Sequence, residues 1–204
     1  MKKTKDENTE VQILDAAKSV FQSKGMDGAR MQEIADKAGI NKAMLHYYYR
    51  SKQLLFEAVF TNAFSLLAPQ LNTILNDDST IEEKVKNFTS NYIEFIIKHP
   101  YLPNFVIQEL NRNPDFILKM KNNPGFPNIE KFKKQVHDEI QKGILKPISA
   151  EQLFINIMAL NIFPFVAKPL IMAFTNTDDD AYKQLIEERK TEVSNFIINS
   201  IKHT

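Results

Sequence analysis

The chain has no cysteine, no tryptophan and only five glycines among its 204 residues. Without cysteine there is no disulfide framework, no thiolate nucleophile and no cysteine-ligated metal. The four histidines, His46, His99, His137 and His203, show no metal-ligand spacing with one another. No H-E-x-x-H, G-x-S-x-G, Walker or Rossmann pattern occurs. No metal, no cofactor and no enzymatic activity are therefore expected, since a catalytic constellation would have to be built wholly by the fold. Met1 to Thr9 is charged and lacks an apolar core, so no signal peptide is expected and a cytoplasmic protein is. The one long apolar stretch, Ile155 to Phe174, is interrupted by Asn156, Asn161, Pro164, Lys168 and Pro169. A spanning helix needs about 20 predominantly apolar residues, so this stretch reads as a core or interface helix.

What is present is helical periodicity. Apolar residues recur at spacings of three and four almost throughout, and few segments alternate as strands do. The spacing predicts a first helix over Thr9 to Lys24, stopped by Gly25 and preceded by a mobile polar arm from Met1 to Glu7. A long helix begins at the N-cap Ser51 and continues to about Leu75, with a kink expected at Pro69. Thr80 and Glu83 form a capping box for a helix ending at His99. Helices follow over Tyr101–Leu110, Pro114–Lys121 and Asn128–Lys142, with a strong loop signal at Asn122–Pro127. Ser149 opens a helix that Pro164 and Pro169 should bend or break, and the acidic run Asp178–Asp180 opens the last one. The fold class is all-α, and no internal repeat is apparent.

The most informative stretch is Met31 to Leu55. Ile34 and Ala35 mark a short helix, Gly39 stands where a turn needs positive φ, and Asn41 can cap a second helix through Tyr49. Two short helices joined by a glycine-containing turn form a helix-turn-helix, whose second helix enters the DNA major groove. Leu45 and Tyr49 lie one turn apart and are expected to face the core, while Lys42, Ala43, His46 and Tyr47 face outward and Tyr48 sits at the rim. From Lys37 to Leu55 there are four basic residues (Lys37, Lys42, Arg50, Lys52) and no acidic one, a surface suited to phosphates. Residues 1–55 hold ten basic and seven acidic residues, net +3, and the remainder sixteen and eighteen, net −2.

These residues carry a resemblance. Phe21-x-x-x-Gly25, Glu33-Ile34-Ala35 and Ala38-Gly39-Ile40-Asn41-Lys42 through Tyr47-Tyr48-Tyr49-Arg50-Ser51-Lys52-x-x-Leu55 resemble the DNA-binding domain of the TetR family of bacterial transcriptional repressors, over about fifty residues. The chain departs from that pattern at Met26, at Ala29-Arg30-Met31 where a threonine or serine usually opens the second helix, and at Ala43 and His46. The resemblance implies a three-helix DNA-binding domain at 1–50 and a helical effector-binding and dimerisation domain at 51–204. It places Arg30, Gln32, Asn41, Lys42, Ala43, Met44, His46, Tyr47, Tyr48 and Lys52 toward DNA.

The rest of the chain is expected to sense a ligand and to dimerise. Fifteen phenylalanines, most of them after Leu55, make an aromatic interior, which is either plain core or the wall of a pocket. A pocket also needs a few convergent polar groups. The candidate effector-binding residues are Phe60, Phe64, Tyr92, Phe105, Glu109, Phe116, Phe132, His137 and Asn161. The two C-terminal stripes bury either against the chain's own core or against a second copy. The interface reading is preferred, and it names Ile157, Leu160, Phe165, Tyr182, Leu185, Val193, Phe196 and Ile197. The expectation is a ligand-responsive repressor that binds a palindromic operator as a homodimer and is released by a small apolar or aromatic effector. The alternatives are a constitutive DNA-binding regulator, or a small-molecule-binding protein that has lost DNA binding.

Overall fold

The structure, a computed structural model, describes residues 2–100, 102–112, 114–121 and 126–203, without the side chains of 2–7, 67, 70, 73, 109, 116, 117, 119 and 120. Among the described residues there are eleven helices and no strand. They are α1 (Lys2–Gly28), α2 (Met31–Lys37), α3 (Lys42–Tyr48), α4 (Lys52–Asn76), α5 (Ile81–Lys98) and α6 (Leu102–Arg112). Then come α7 (Pro114–Lys121), α8 (Glu130–Gln141), α9 (Ala150–Val166), α10 (Lys168–Thr175) and α11 (Asp179–Ile201). The chain divides into two compact units, 1–66 and 67–204, so the division falls inside α4 and not at its start. The reason lies in the first turns of α4, which bury Leu55, Phe56, Val59 and Phe60. In the first unit the Phe56 ring meets Phe21 of α1 edge-on at 4.9 Å.

One expectation about helix ends changes. Residues from Lys2 onward are helical, so no extended arm precedes α1. The helix is nonetheless broken where glycine predicted it, because Gly25 adopts φ 67° and ψ 176°. The long helix α4 runs through Pro69 and ends at Asn76.

The second unit is organised on α5. Its buried stripe, Ile81, Val85, Phe88, Tyr92 and Ile96, follows the three-four spacing of one helix face, and Thr80 and Glu83 close the expected capping box. α9 contributes Leu153 and Ile157 to the core, and α11 contributes Tyr182, Ile186, Val193, Ile197 and Ile201. One cation is inside as well. Lys84 is 1% exposed, and its ammonium donates to the carbonyls of Ile74 (2.7 Å) and Asp77 (3.0 Å) and to the Asp77 carboxylate. These are the carbonyls that the end of α4 leaves without helical donors. Burial alone would raise the Asp77 carboxyl pKa, but hydrogen bonds from Lys84 and Ser79 outweigh it and hold that pKa down.

Prolines shape the C-terminal helices through the bonds they remove. Pro164 has no N–H, so the Leu160 carbonyl loses its helical donor. Arg189 of α11 fills the gap, with Nη2 donating to Leu160 O at 2.7 Å. The carbonyl of Pro164 itself accepts the Tyr182 hydroxyl at 2.6 Å. Thus α9 survives Pro164 and breaks only at Ala167, after which α10 departs at 77°. No single helix among the described residues is long and apolar enough to cross a membrane.

Candidate nucleic-acid interface

The turn between α2 and α3 is built by backbone bonds that only a residue at positive φ allows. Ala38 ends α2, and Gly39 follows at φ 69°. Gly39 N donates to Asp36 O at 3.2 Å and Ile40 N to Ala35 O at 3.0 Å, the paired bonds of a Schellman end. Asn41 then caps α3, accepting from Met44 N at 2.7 Å. Leu45 is the one buried residue of α3. It pins a helix whose other faces are open.

Those open faces carry the expected residues. Lys42, Ala43, Met44, His46 and Tyr47 are exposed, and Tyr47 is 83% exposed. Tyr48 is half-buried, and its ring meets Tyr47 edge-on at a centroid distance of 5.5 Å. Arg30 and Lys42 are exposed and form no ion pair among the described residues. Gln32 is exposed and donates to Asp36 at 2.7 Å. Tyr49 is half-buried, not fully inside; its hydroxyl donates to Glu10 of α1 at 3.0 Å. Burial first, then the hydrogen bond and charge of Glu10, raise the phenol pKa, so Tyr49 keeps its proton.

Lys52 is a correction. Its ammonium is not displayed for a phosphate but donates to Asp27 O (3.2 Å) and Ala29 O (3.1 Å), carbonyls that the end of α1 leaves over. Three further ties hold the helix-turn-helix to α1 or within it: Lys37 to Ser19 at 2.6 Å, Lys24 to Glu33 at 2.6 Å, and Tyr49 to Glu10. No sequence motif signals these ties, because each joins residues that lie apart in the chain.

The effector candidates are not gathered in one unit. Phe60 and Phe64 lie in the first unit, their rings stacked at 6.3 Å. Tyr92, Phe105, Phe132 and Asn161 are buried in the second. His137 is exposed on α8, a correction with a simple cause: the helix buries Phe132 and Val136, and the next residue turns away from that face. The side chains of Glu109 and Phe116 lie outside the described residues. Asn161 is 1% exposed, donates to Ile157 O at 2.8 Å, and its own Oδ1 has no partner among the described residues. A cavity of about 10 Å³ beside Phe132, lined by Lys84, Phe88, Phe154 and Ile157 among others, has room for about one water.

The interface candidates divide. Ile157, Tyr182, Val193 and Ile197 are buried in the chain's own core; Leu160, Phe165 and Leu185 are half-buried; Phe196 is 66% exposed. The same helices expose Ile155, Ala159 and Phe163, which periodicity alone does not separate from their inward neighbours. Phe196 borders an open groove of about 270 Å³ lined by Leu153, Asn156, Ala159, Leu160 and Ser200, with no charged residue. No cluster of metal-ligating side chains occurs among the described residues.

The family described as "Bacterial regulatory proteins, tetR family" matches residues 13–59, which take in α2, α3 and the start of α4. The chain is TetR-like. Over 193 residues it is 23% identical to the HTH-type transcriptional regulator RutR of Escherichia coli, covering 93% of this chain and 89% of that protein. It is 25% identical over 130 residues to IcaR of Staphylococcus epidermidis, named as a negative transcriptional regulator, covering 64% of this chain and 66% of that one. A TetR family transcription regulator from Marinobacter aquaeolei superposes with a TM-score of 0.67 at 15% identity, over 99% of this chain and 100% of that chain. The TetR-like relatives are named as transcriptional regulators and not as enzymes, and DNA-binding regulation is the function the chain shares with them.

Proposed function

We propose that this TetR-like chain is a ligand-responsive repressor acting in the cytoplasm, bound as a homodimer to a palindromic operator and released by a small apolar or aromatic effector. Residues 1–50 bind DNA, and residues 51–204 bind effector and dimerise. The observation that carries the reading is the solvent-facing Tyr47 on a helix pinned by Leu45. An exposed tyrosine offers a hydroxyl to phosphate and a ring edge to a thymine methyl. Arg30, Lys42 and His46 flank it, and Ala43 leaves room for close approach. Two copies related by a two-fold axis read half-sites about 34–36 Å apart.

Release follows from linkage. An effector that prefers one conformation draws the population from the operator-competent one, and operator must weaken effector binding by the same factor. The route runs along α4, from Phe60 and Phe64 to its N-terminal end. A second reading, a regulator with no effector, is favoured by the well-filled interior beside Phe132.

The test is a gel shift on genomic fragments with wild type, Lys42→Ala and Tyr47→Ala. Removing the lysine that faces phosphate weakens binding across all bound sequences and lowers the salt slope by about one. Equal binding by all three proteins, independent of salt, overturns the repressor reading.

A further inference from the structure

Lys52 stands in the first turn of α4, where a cation is out of place. The N-terminal end of a helix carries partial positive charge and the C-terminal end partial negative charge. The first turn of α4 has no acidic residue to offset Lys52, and the last turn of α1 has no basic residue of its own. One side chain answers both wants. The Lys52 ammonium reaches the end of α1 and donates to Asp27 O at 3.2 Å and Ala29 O at 3.1 Å. Ala29 is 2% exposed, and a buried carbonyl left without a donor is costly.

What these bonds hold is the link between two helices. α1, already broken at Gly25, ends at Gly28, and α2 begins at Met31, so Ala29 and Arg30 are all that joins them. Arg30 is the N-cap of α2, with extended backbone and no capping bond from its side chain. The link is therefore fixed from outside, by Lys52. One turn further along the same face of α4, Phe56 meets Phe21 edge-on. α4 thus grips α1 at two points, one apolar and one polar. The ties of Lys37 to Ser19 and of Lys24 to Glu33 run between exposed side chains, where water competes for each partner.

We propose that Lys52 is a positioning residue for DNA recognition. It holds the Ala29–Arg30 link, and with it α2 and α3, at the angle from which Lys42 and Tyr47 meet the duplex, and it takes no phosphate itself. The proposal rests on the DNA-binding reading above. Two of the three ammonium N–H groups are committed to carbonyls, and the side chain is half-buried. Lys42, by contrast, is exposed and forms no ion pair among the described residues. The two lysines therefore differ in salt dependence. A phosphate contact releases a counterion and adds about one to the salt slope, and a bond to a carbonyl adds nothing.

Fluorescence anisotropy of the full-length chain on two labelled duplexes tests the proposal, with circular dichroism as a check that each variant folds. One duplex is the genomic fragment that the wild type binds most tightly, the other a mixed-sequence duplex of equal length, and each is titrated over a range of salt. Lys52→Met is expected to weaken binding to the selected fragment at least tenfold, about the worth of one base contact. Its binding to the mixed-sequence duplex, which rests on charge, should change little, and both salt slopes should stay as in the wild type. Lys52→Arg keeps a cation that can reach both carbonyls and should restore discrimination between the duplexes. Equal weakening on both, with the slope lowered by about one, marks a phosphate contact and overturns the proposal. A lower melting temperature with both affinities unchanged marks a merely structural tie and overturns it as well. Acetylation of the wild type, read by mass spectrometry, needs no substitution. The selected duplex should protect Lys42, while Lys52 should react slowly with or without DNA. A Lys52 that reacts freely and is protected by DNA overturns the proposal even if Lys52→Met fails to fold. A wild type that binds neither duplex ends the DNA-binding reading and this one together; every other outcome leaves that reading standing.

Discussion

At Gly39 and Leu45 the same short segment makes two different demands on its side chains. Gly39 is held at φ 69° and a Cβ there would meet nothing within 4 Å. Gly39→Ala therefore costs only the left-handed backbone, about 1–2 kcal/mol, and Gly39→Asn costs less; denaturant titration of the two variants separates them. Leu45 is fully buried, and Leu45→Ala should cost about 2–5 kcal/mol through reduced burial and the cavity left behind. Tyr47 behaves in the opposite way. With 83% of its surface open, Tyr47→Ala should leave stability within about 0.5 kcal/mol of wild type while weakening operator binding at least tenfold, as measured by fluorescence anisotropy. Stability lost together with binding would mean that the ring is structural.

The helices show why some of this is legible in the sequence and some is not. Gly25, Gly39, Asn41, Thr80 with Glu83, Ser149 and Asp178 each act on backbone within a few residues of themselves, so their spacing alone locates the helix ends. Which of two neighbouring apolar residues faces inward depends on the helix packed across from it. That is why Ile157 and Ile197, expected at a partner's surface, lie in the core, while Ile155 and Phe163 are outside. Lys52 departs from expectation for a related reason: its partners, Asp27 and Ala29, become available only because α1 ends beside it. The proline turn of α9 offers a clean test of such a long-range bond. Arg189→Ala strands the Leu160 carbonyl and should cost about 1–3 kcal/mol. In a Pro164→Ala background the restored N–H can serve that carbonyl, so the same substitution should cost measurably less. A double-mutant cycle by urea denaturation reads the difference, and additive effects would show that Arg189 acts elsewhere.

For the whole chain the relevant quantities are charge and its response to pH and salt. The excess of positive charge lies in residues 1–55 although the net charge is only +1, so operator affinity should fall steeply with salt while folding stability changes little. Acid acts on a different set of groups. The Glu82 carboxylate is held by Lys202 at 2.5 Å and Lys86 at 2.7 Å, and the bond from Lys202, with that from Lys86 second, takes its pKa down to about 2. A depressed carboxyl pKa stabilises the fold above the ordinary glutamate range and loses that contribution as pH falls toward 2. Because the pair is partly exposed and screened, the contribution is at most about 1 kcal/mol. Glu82→Gln should therefore flatten the pH dependence of stability between pH 5 and pH 2 by about that amount, as followed by thermal melts.

Arg189 and Tyr182 grip main-chain oxygens, which carry no ionisable proton, whereas Lys202 grips a carboxylate that acid can neutralise. The final helix is therefore fastened by two kinds of knot: the carboxylate ties, Lys202 to Glu82 at its tail and Lys168 to Asp179 at its head, loosen on acidification, and the main-chain ones do not. A chain taken slowly to low pH should fray at the two ends of α11, with the proline corner still tied between them, and amide exchange along α11 would record that order.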